Sequence, residues 1–364
     1  MAAMVAAAAI AADVSAGIKI DVNAFEYDAA TKEAKALTVN HHNHDWESPI
    51  SFSVSGEVAG ATLHLSEEDF DTSAGNASLG KFTKWNIWVK PIDMLTINVG
   101  HWDTNLNQES ITWGGTKSGI GSQGLTLTLA PAEGFTFDAT FAPGYGKAWF
   151  RNADTVAREN AADDGFDEWD DLTDAQKDAY LDAAKSVVEE LGLKVQYSAD
   201  FGTVNAIFDA KNTFKELKFG AGYKNTFDPL TIWVNALFAT SDKENEVKDF
   251  TNYVRVEAFQ EAGLDALTVK AFEAFQFNTK TPDGADTKAK IDLGAKFYLG
   301  YKLGESTTAY VKIQDDDFLA ENFSMSINPG LEFKVGDCGI DAGIEFTAQE
   351  NIKVGVPVKF SMNF

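Results

Sequence analysis

The stretch Ile352–Phe364, IKVGVPVKFSMNF, sorts its residues by parity. Val354, Val356, Val358, Phe360, Met362 and Phe364 fall on one side, and Lys353, Gly355, Pro357, Lys359, Ser361 and Asn363 on the other. A period of two is the mark of a β-strand with one apolar face. The pattern recurs throughout the chain. Leu95, Ile97 and Val99 alternate with Thr96, Asn98 and Gly100, and Leu125, Leu127 and Leu129 with Thr126 and Thr128. Phe135, Phe137, Ala139 and Phe141 alternate with Thr136, Asp138 and Thr140, and Leu217, Phe219, Ala221 and Tyr223 with Lys218, Gly220 and Gly222. Ile291, Leu293, Ala295, Phe297, Leu299 and Tyr301 alternate with Asp292, Gly294, Lys296, Tyr298, Gly300 and Lys302.

The connections between these runs alternate in length. Short turns carrying Gly, Pro or Asp lie at 55–58, 90–93, 130–134, 200–202, 225–229, 261–263, 302–305 and 335–338. Such residues reach turn dihedrals at little cost. Longer polar loops lie near 28–47, 66–79, 103–121, 143–190, 240–249 and 278–288, with shorter ones near 210–213, 315–321 and 347–351. Eight turns and nine loops imply about eighteen strands with both termini on the short-turn side. Sixteen remains open, because the strand pairs at 50–65 and 202–223 are short. The expected fold is all-β: a closed antiparallel transmembrane β-barrel, with short turns at one end and long loops at the other.

One helix is expected, inside the loop at 143–192. Thr173 can cap it with Gln176 as the returning half of a capping box. Tyr180, Leu181, Ala184, Val187, Val188 and Leu191 then recur at helical spacing up to Gly192. That stripe can fold into the barrel mouth and narrow it, or pack on neighbouring loops.

Composition narrows the picture further. Apolar residues are 45% of the 364, yet they are dispersed, and no run of about 20 of them forms a membrane helix. The single Cys338 leaves no internal disulfide. A net charge of −25 excludes nucleic acid as a partner, because phosphate contacts need basic patches. The opening MAAMVAAAAIAADVSAG has a short apolar core and a small-x-small site at Ala9-Ile10-Ala11, although no basic segment precedes it. It is read as a signal-peptide remnant over residues 1–11, with residues 12–364 as a single barrel domain.

Together these features resemble bacterial outer-membrane porins, over nearly the whole of residues 12–364. The subfamily is left open, with spirochaetal outer-membrane proteins as one option. The most specific element is the strand Val354–Phe364, and WVKPIDMLTINVGHW looks like a porin hairpin turning at Pro91. The resemblance implies that Val358, Phe360, Met362 and Phe364 form the signal read by the barrel assembly machinery. It also implies outer-membrane lipids as surroundings, small hydrophilic solutes and ions as cargo, and a homotrimer as one assembly open to the chain. Pro329 and Pro357 depart from it, because proline removes a ladder hydrogen bond. Aromatic residues near predicted strand ends (Trp46, Phe82, Trp102, Tyr197, Phe238, Phe259 and Phe323) are candidates for interfacial girdles.

If the apolar faces meet lipid, the opposite positions line a lumen. The basic set is Lys19, Lys84, Lys194, Lys218, Lys224, Arg255, Lys270, Lys296, Lys302, Lys312, Lys334, Lys353 and Lys359. The acidic set is Asp21, Asp138, Asp200, Asp209, Glu216, Glu257, Asp292, Glu332, Asp341 and Glu345. The two nearly balance, which suits water and small polar solutes. The chain's negative charge therefore lies in the loops: residues 151–190 hold thirteen acids against four bases. An acidic mouth attracts cations within a Debye length of roughly 8–10 Å, so a weak cation preference is expected.

Other motifs carry less. His41, His42 and His44 alternate in an extended loop with no second cluster to complete a metal site. WGGTKSGIGSQG lacks the order of a phosphate loop. The run Asp315-Asp316-Asp317 is read as solvated rather than as a calcium site. No nucleophile–base grouping points to catalysis, and no cofactor or metal is expected. The leading expectation is passive diffusion through a water-filled lumen. The alternative is a surface adhesin or structural barrel whose loops bind a partner.

Overall fold

A computed structural model describes residues 13–40, 50–65, 82–102, 120–143, 148–166, 169–241, 252–278, 291–320, 324–348 and 352–363. The wall starts with β1 (Asp13–Asp28), β2 (Glu33–Asn40), β3 (Ile50–Ser55), β4 (Ala59–Leu65), β5 (Phe82–Ile92), β6 (Leu95–Trp102), β7 (Ile120–Ala132) and β8 (Phe135–Ala142). After a small ribbon of β9 (Phe150–Arg151) and β10 (Val187–Val188) come β11 (Glu190–Ala199), β12 (Gly202–Lys211), β13 (Glu216–Phe227), β14 (Leu230–Ser241), β15 (Tyr253–Leu264) and β16 (Leu267–Asn278). The chain finishes with β17 (Ile291–Lys302), β18 (Thr307–Asp315), β19 (Met325–Val335), β20 (Cys338–Gly343), β21 (Glu345–Ala348) and β22 (Ile352–Asn363).

Every pairing is antiparallel, each stave of the wall pairs with the staves before and after it, and the first and last strands pair to close the sheet. There Ile18 faces Met362, Ile20 faces Phe360 and Val22 faces Val358 in the Cα register. β2 and β3 lie end to end along one flank of β1, and β20 and β21 end to end along β22, so the twenty strands make eighteen staves.

The four prolines that fall within strands sit where the ladder is already interrupted. Pro91 and Pro131 occupy the register breaks of β5–β6 and β7–β8. Pro357 faces Asn23, at the edge of the bulge in β1. Pro329 faces the gap between β20 and β21, where its carbonyl accepts from the Ile344 amide at 2.9 Å. A bulge supplies the place where a missing N–H costs least.

Three expectations are corrected. Residues 28–47 are not one loop: the turn is 29–32, Glu33–Asn40 is β2, and 41–49 lies outside the described residues. The helix is half the length read from its stripe. It runs Asp174–Ala183, and Val187, Val188 and Leu191 belong to strands. Phe259 is 2% exposed on the sheltered face, so it is no girdle residue, while Tyr197 and Phe238 are exposed. Trp46 and Phe323 lie outside the described residues, as do His41, His42, His44, the signal-like segment and Phe364; for Phe82 and Trp102 only the backbone is described.

The long loop folds as an outcrop. Two helices, α1 (Ala153–Asp163) and α2 (Asp174–Ala183), follow the capping rules: Asn152 Oδ1 accepts from the Thr155 amide, and Thr173 with Gln176 completes a capping box. They pack on each other, and α1 packs on β9 of the ribbon. Trp169 packs against Tyr180, and Arg158 lies 4.9 Å over the Trp169 ring. The Tyr180 hydroxyl donates to Asp164 at 2.7 Å, and that bond pushes the phenol above its ordinary pKa. Arg151, at the ribbon, holds Glu159 of α1 and Glu189 beyond α2 at once, with its side chain 8% exposed. Without Arg151 the Glu159 and Glu189 carboxylates, 38% and 17% exposed, lose the cation that holds them together. R151A should therefore loosen the outcrop alone: limited proteolysis should cut between 153 and 183 much faster while the barrel's resistance to heat is unchanged.

Candidate functional site: the sheltered face of the wall

A single-layer closed sheet has only two sides, and the two differ in burial. β12, β15 and β17 alternate between exposed and buried positions. The exposed set is greasy: Phe219, Val256, Phe275, Phe297 and Leu299 are each more than 40% open. The largest fully buried side chains include Asn98, Thr126, Asn235, Glu257 and Asn278. This reverses the usual arrangement of a water-soluble protein. With no second layer, the sheltered side is the barrel interior.

The interior polar groups form stations rather than a uniform lining. On β15–β17, the Arg255 Nε donates to Gln276 Oε1 at 2.8 Å, and its Nη1 lies 3.5 Å from Glu257. Gln276 donates onward to Asn278 at 3.0 Å, and Asn278 to Asp292 at 2.8 Å. Arg255 also stacks on Tyr253 at 4.8 Å. On β18–β20, Lys312 lies 3.1 Å from Asp341 and 3.7 Å from Glu332. Its ammonium sits 4.0 Å over Tyr310, which stacks on Tyr298 and donates its hydroxyl to Asp341. On β11–β13, Lys211 pairs with Glu190 at 2.9 Å and Lys218 with Asp209 at 3.9 Å. Lys353 reaches Asp28 at 3.1 Å near the seam. On β7–β8, Thr128 donates to Asp138 at 2.6 Å.

Most of the other residues picked from the pattern share this face. Asp138 is the Cα partner of Lys194, and Lys296 that of Phe272 and Gln314. Lys334 and Lys359 border a cleft of about 630 Å³ at the short-turn end, beside Glu332 and Asp341. Lys19 and Asp21 are placed by backbone register alone, opposite Ser361 and Lys359 in the closing strand. Asp200 falls in the turn after β11. On the other face, Phe360 and Met362 are exposed. Val358 faces Val22 in the register.

What the pattern missed is a band of apolar side chains on the sheltered face. Phe259 and Phe272 are adjacent across β15–β16 and pack against Trp233. Lys224 lies 5.2 Å over the Trp233 ring. Ile207 and Leu237 pack above them with Tyr253 and Trp233. The signal was present, because Phe259 shares parity with Arg255 and Glu257, and Trp233 with Asn235. One glycine makes room beside this band. A Cβ on Gly222 would come within 2.4 Å of Asn235 Oδ1 and 2.6 Å of Asn205 Oδ1.

The acidic run that begins with the last residue of β18 is not simply solvated, as its sequence suggested. Asp315 is 2% exposed on the apolar side, and its Oδ1 accepts from the Asp317 amide at 3.0 Å. Among the described residues no group of three His, Cys, Asp or Glu side chains is arranged to hold a metal ion.

No protein-family model matches the chain, and no curated protein matches it by sequence. Solved structures do. OpdO of Pseudomonas aeruginosa superposes with a TM-score of 0.56 over 98% of this chain and 97% of its own, at 9% identity. A BenF-like porin of Pseudomonas fluorescens gives 0.56 over 97% and 98%, at 8% identity. The outer membrane protein OpdK of Pseudomonas aeruginosa gives 0.53 over 97% and 98%, at 7% identity. At such identities the likeness establishes the fold: the chain has the closed eighteen-stave architecture of these barrels along its whole length.

The Arg255 station is open to test by stability. R255M leaves Glu257, 1% exposed, without its guanidinium and should cost about 3 kcal/mol, whereas R255M/E257L should recover most of that loss. Urea unfolding of the refolded barrels gives both values.

Proposed function

We propose that the chain is an outer-membrane porin that lets ions and small hydrophilic solutes diffuse through a water-filled lumen. The observation that carries this reading is the sorting of faces: a greasy exposed exterior around an interior of charged and amide side chains. Water is the only medium that suits such an interior, and hydrocarbon the only one that suits such an exterior. The named neighbours agree, one being called an outer membrane protein and another a porin.

On this reading Lys19, Asp21, Lys218, Arg255, Glu257, Asp292, Lys296, Lys312, Lys334 and Lys359 line the path. Over the whole inward set read from the pattern, thirteen bases stand against ten acids, so the wall itself selects weakly. The acidic outcrop at 151–190 supplies the bias, raising local cation concentration at the mouth. Val358, Phe360, Met362 and Phe364 serve as the strand read during barrel assembly. The chemistry is passage, not catalysis. The outcrop also keeps the adhesin reading in play, because it is a folded acidic surface carried above the wall.

Planar-bilayer recording separates the two. The porin reading expects discrete conductance steps with a reversal potential shifted modestly towards cations. Replacing 153–183 by a short turn should move that potential towards zero without removing the steps. A barrel that inserts correctly and stays silent would overturn the proposal in favour of the adhesin.

The faces can be tested independently. Leu127 and Thr128 are neighbours of opposite parity in β7. L127R should cost about 2–4 kcal/mol of unfolding free energy in liposomes if it lies near the bilayer midplane, and T128R far less.

A further inference from the structure

Besides Asp315, a polar pair breaks the sorting of faces among the described residues. Gln260 and Glu273 lie on the exterior parity of β15 and β16, the side that carries Val254, Val256, Phe275 and Phe277. The Gln260 amide donates to a Glu273 carboxylate oxygen at 3.0 Å. Glu273 is the seventh of twelve residues in β16 and Gln260 the eighth of twelve in β15, so both sit at mid-strand. Exposed apolar residues lie beyond them in both directions, Phe275 and Phe277 on one side and Leu264 on the other. On the membrane reading, on which this inference rests, a carboxylate is held in hydrocarbon.

Hydrocarbon offers such a pair nothing. Their mutual bond uses one of the two Gln260 N–H groups and one carboxylate oxygen. The second N–H, the Gln260 carbonyl and the other carboxylate oxygen have capacity to spare, and leaving it unused in a dry medium is costly. Lipid tails cannot answer it, but a second copy of the same surface can. The set is self-complementary: one donor and one acceptor, side by side. A two-fold axis through the pair reverses their order, so the spare N–H of each Gln260 meets the spare oxygen of the other copy's Glu273. The surroundings permit close approach. Ala258 and Ala295 are the Cα partners of Glu273, and Ala271 and Ile232 are those of Gln260. Three of the four flanking side chains are single methyl groups, and Ile232 borders only the Gln260 side.

We propose that the exterior of β15–β16, centred on Gln260 and Glu273, is the seam of a two-fold homodimer within the membrane. The partner is a second copy of this chain, and the glue is a reciprocal pair of amide–carboxylate hydrogen bonds shielded from water. The contact is isologous, joining like faces, and so differs from a ring-closing threefold contact.

The test uses the full chain refolded into liposomes and into detergent, with Cys338 replaced by serine. Ala258→Cys beside the pair should form disulfide-linked dimers in liposomes under mild oxidation, and Leu127→Cys on β7 should not. In detergent, sedimentation should give dimer mass for the parent and monomer mass for Q260L/E273L, which should fold as well as the parent because it only makes the exterior greasier. Heat-dependent gel mobility monitors that folding. Parent monomers with no cross-link at position 258 would overturn the seam. So would dimers that persist in Q260L/E273L, or cross-links at 127 equal to those at 258. A parent chain that stays soluble without detergent would overturn the membrane reading as well, and is distinguishable from a detergent-borne monomer.

Discussion

The structure depends on one junction, the ladder between β1 and β22. An open sheet of this length would leave two rows of unpaired N–H and C=O groups, each row a site for aggregation in water and prohibitively costly in hydrocarbon. Closure removes both rows at once. It also leaves each side chain only two directions, because a single-layer cylinder has no third. The parity of the chain is therefore a consequence of closure, and so is the confinement of prolines to places where parity already slips. Pro357 faces Asn23 at the edge of the β1 bulge, within the closing ladder itself. The most important pairing in the molecule thus tolerates an interruption, provided both strands are interrupted together.

Closure also explains the interior. Charges facing inward cannot all be matched by open water, since several are nearly fully buried. They are matched by one another. Arg255 serves Gln276 and Glu257, and Lys312 serves Asp341 and Glu332 while resting on Tyr310. Each station places a cation between acceptors on adjacent strands, so these contacts also fix strand register. The apolar band of Trp233, Phe259 and Phe272 lies on β14–β16 beside the Arg255 station, packed by neighbours rather than open to water. Between the stations and the band, one side of the wall is thick with side chains, so the open path is narrower there than the backbone cylinder.

How much of this was legible follows from which forces act locally. Strand alternation and loop lengths are local, and they yielded the stave count, the handling of the termini and the sorting of most faces. β2 was missed because its alternation breaks internally. Leu37, in the middle of β2, has a φ of 55°, a left-handed conformation that a regular strand does not hold, and it is left out of an otherwise unbroken register with β1. The helix in the outcrop was read too long because Val187 and Val188 fit its stripe. Pairing with Arg151 and Phe150 draws them into β10 instead, and that partner lies some thirty-six residues away. The capping box, fixed by residues three apart, was legible in full. Which residues join into stations was not, because cross-strand neighbours are set by register and not by spacing.

The division of charge between wall and outcrop bears on selectivity. Along the strands, Lys218 with Asp209, Arg255 with Glu257 and Lys312 with Asp341 hold acid and base within 3–4 Å of each other. The outcrop has the opposite composition, with thirteen acids against four bases over residues 151–190. Arg151 matters here beyond its own charge. By clasping Glu159 and Glu189 together it holds α1 against the ribbon, so the described carboxylates of that helix are tied to the strands β9 and β10. Fixed charge acts strongly only within roughly a Debye length, 8–10 Å at physiological salt. A tethered but floppy loop would spend much of its time beyond that range, whereas a folded one does not. On the porin reading proposed above, the helices act as an electrostatic scaffold at the mouth, and the cation preference proposed there should fade as added salt shortens the screening distance.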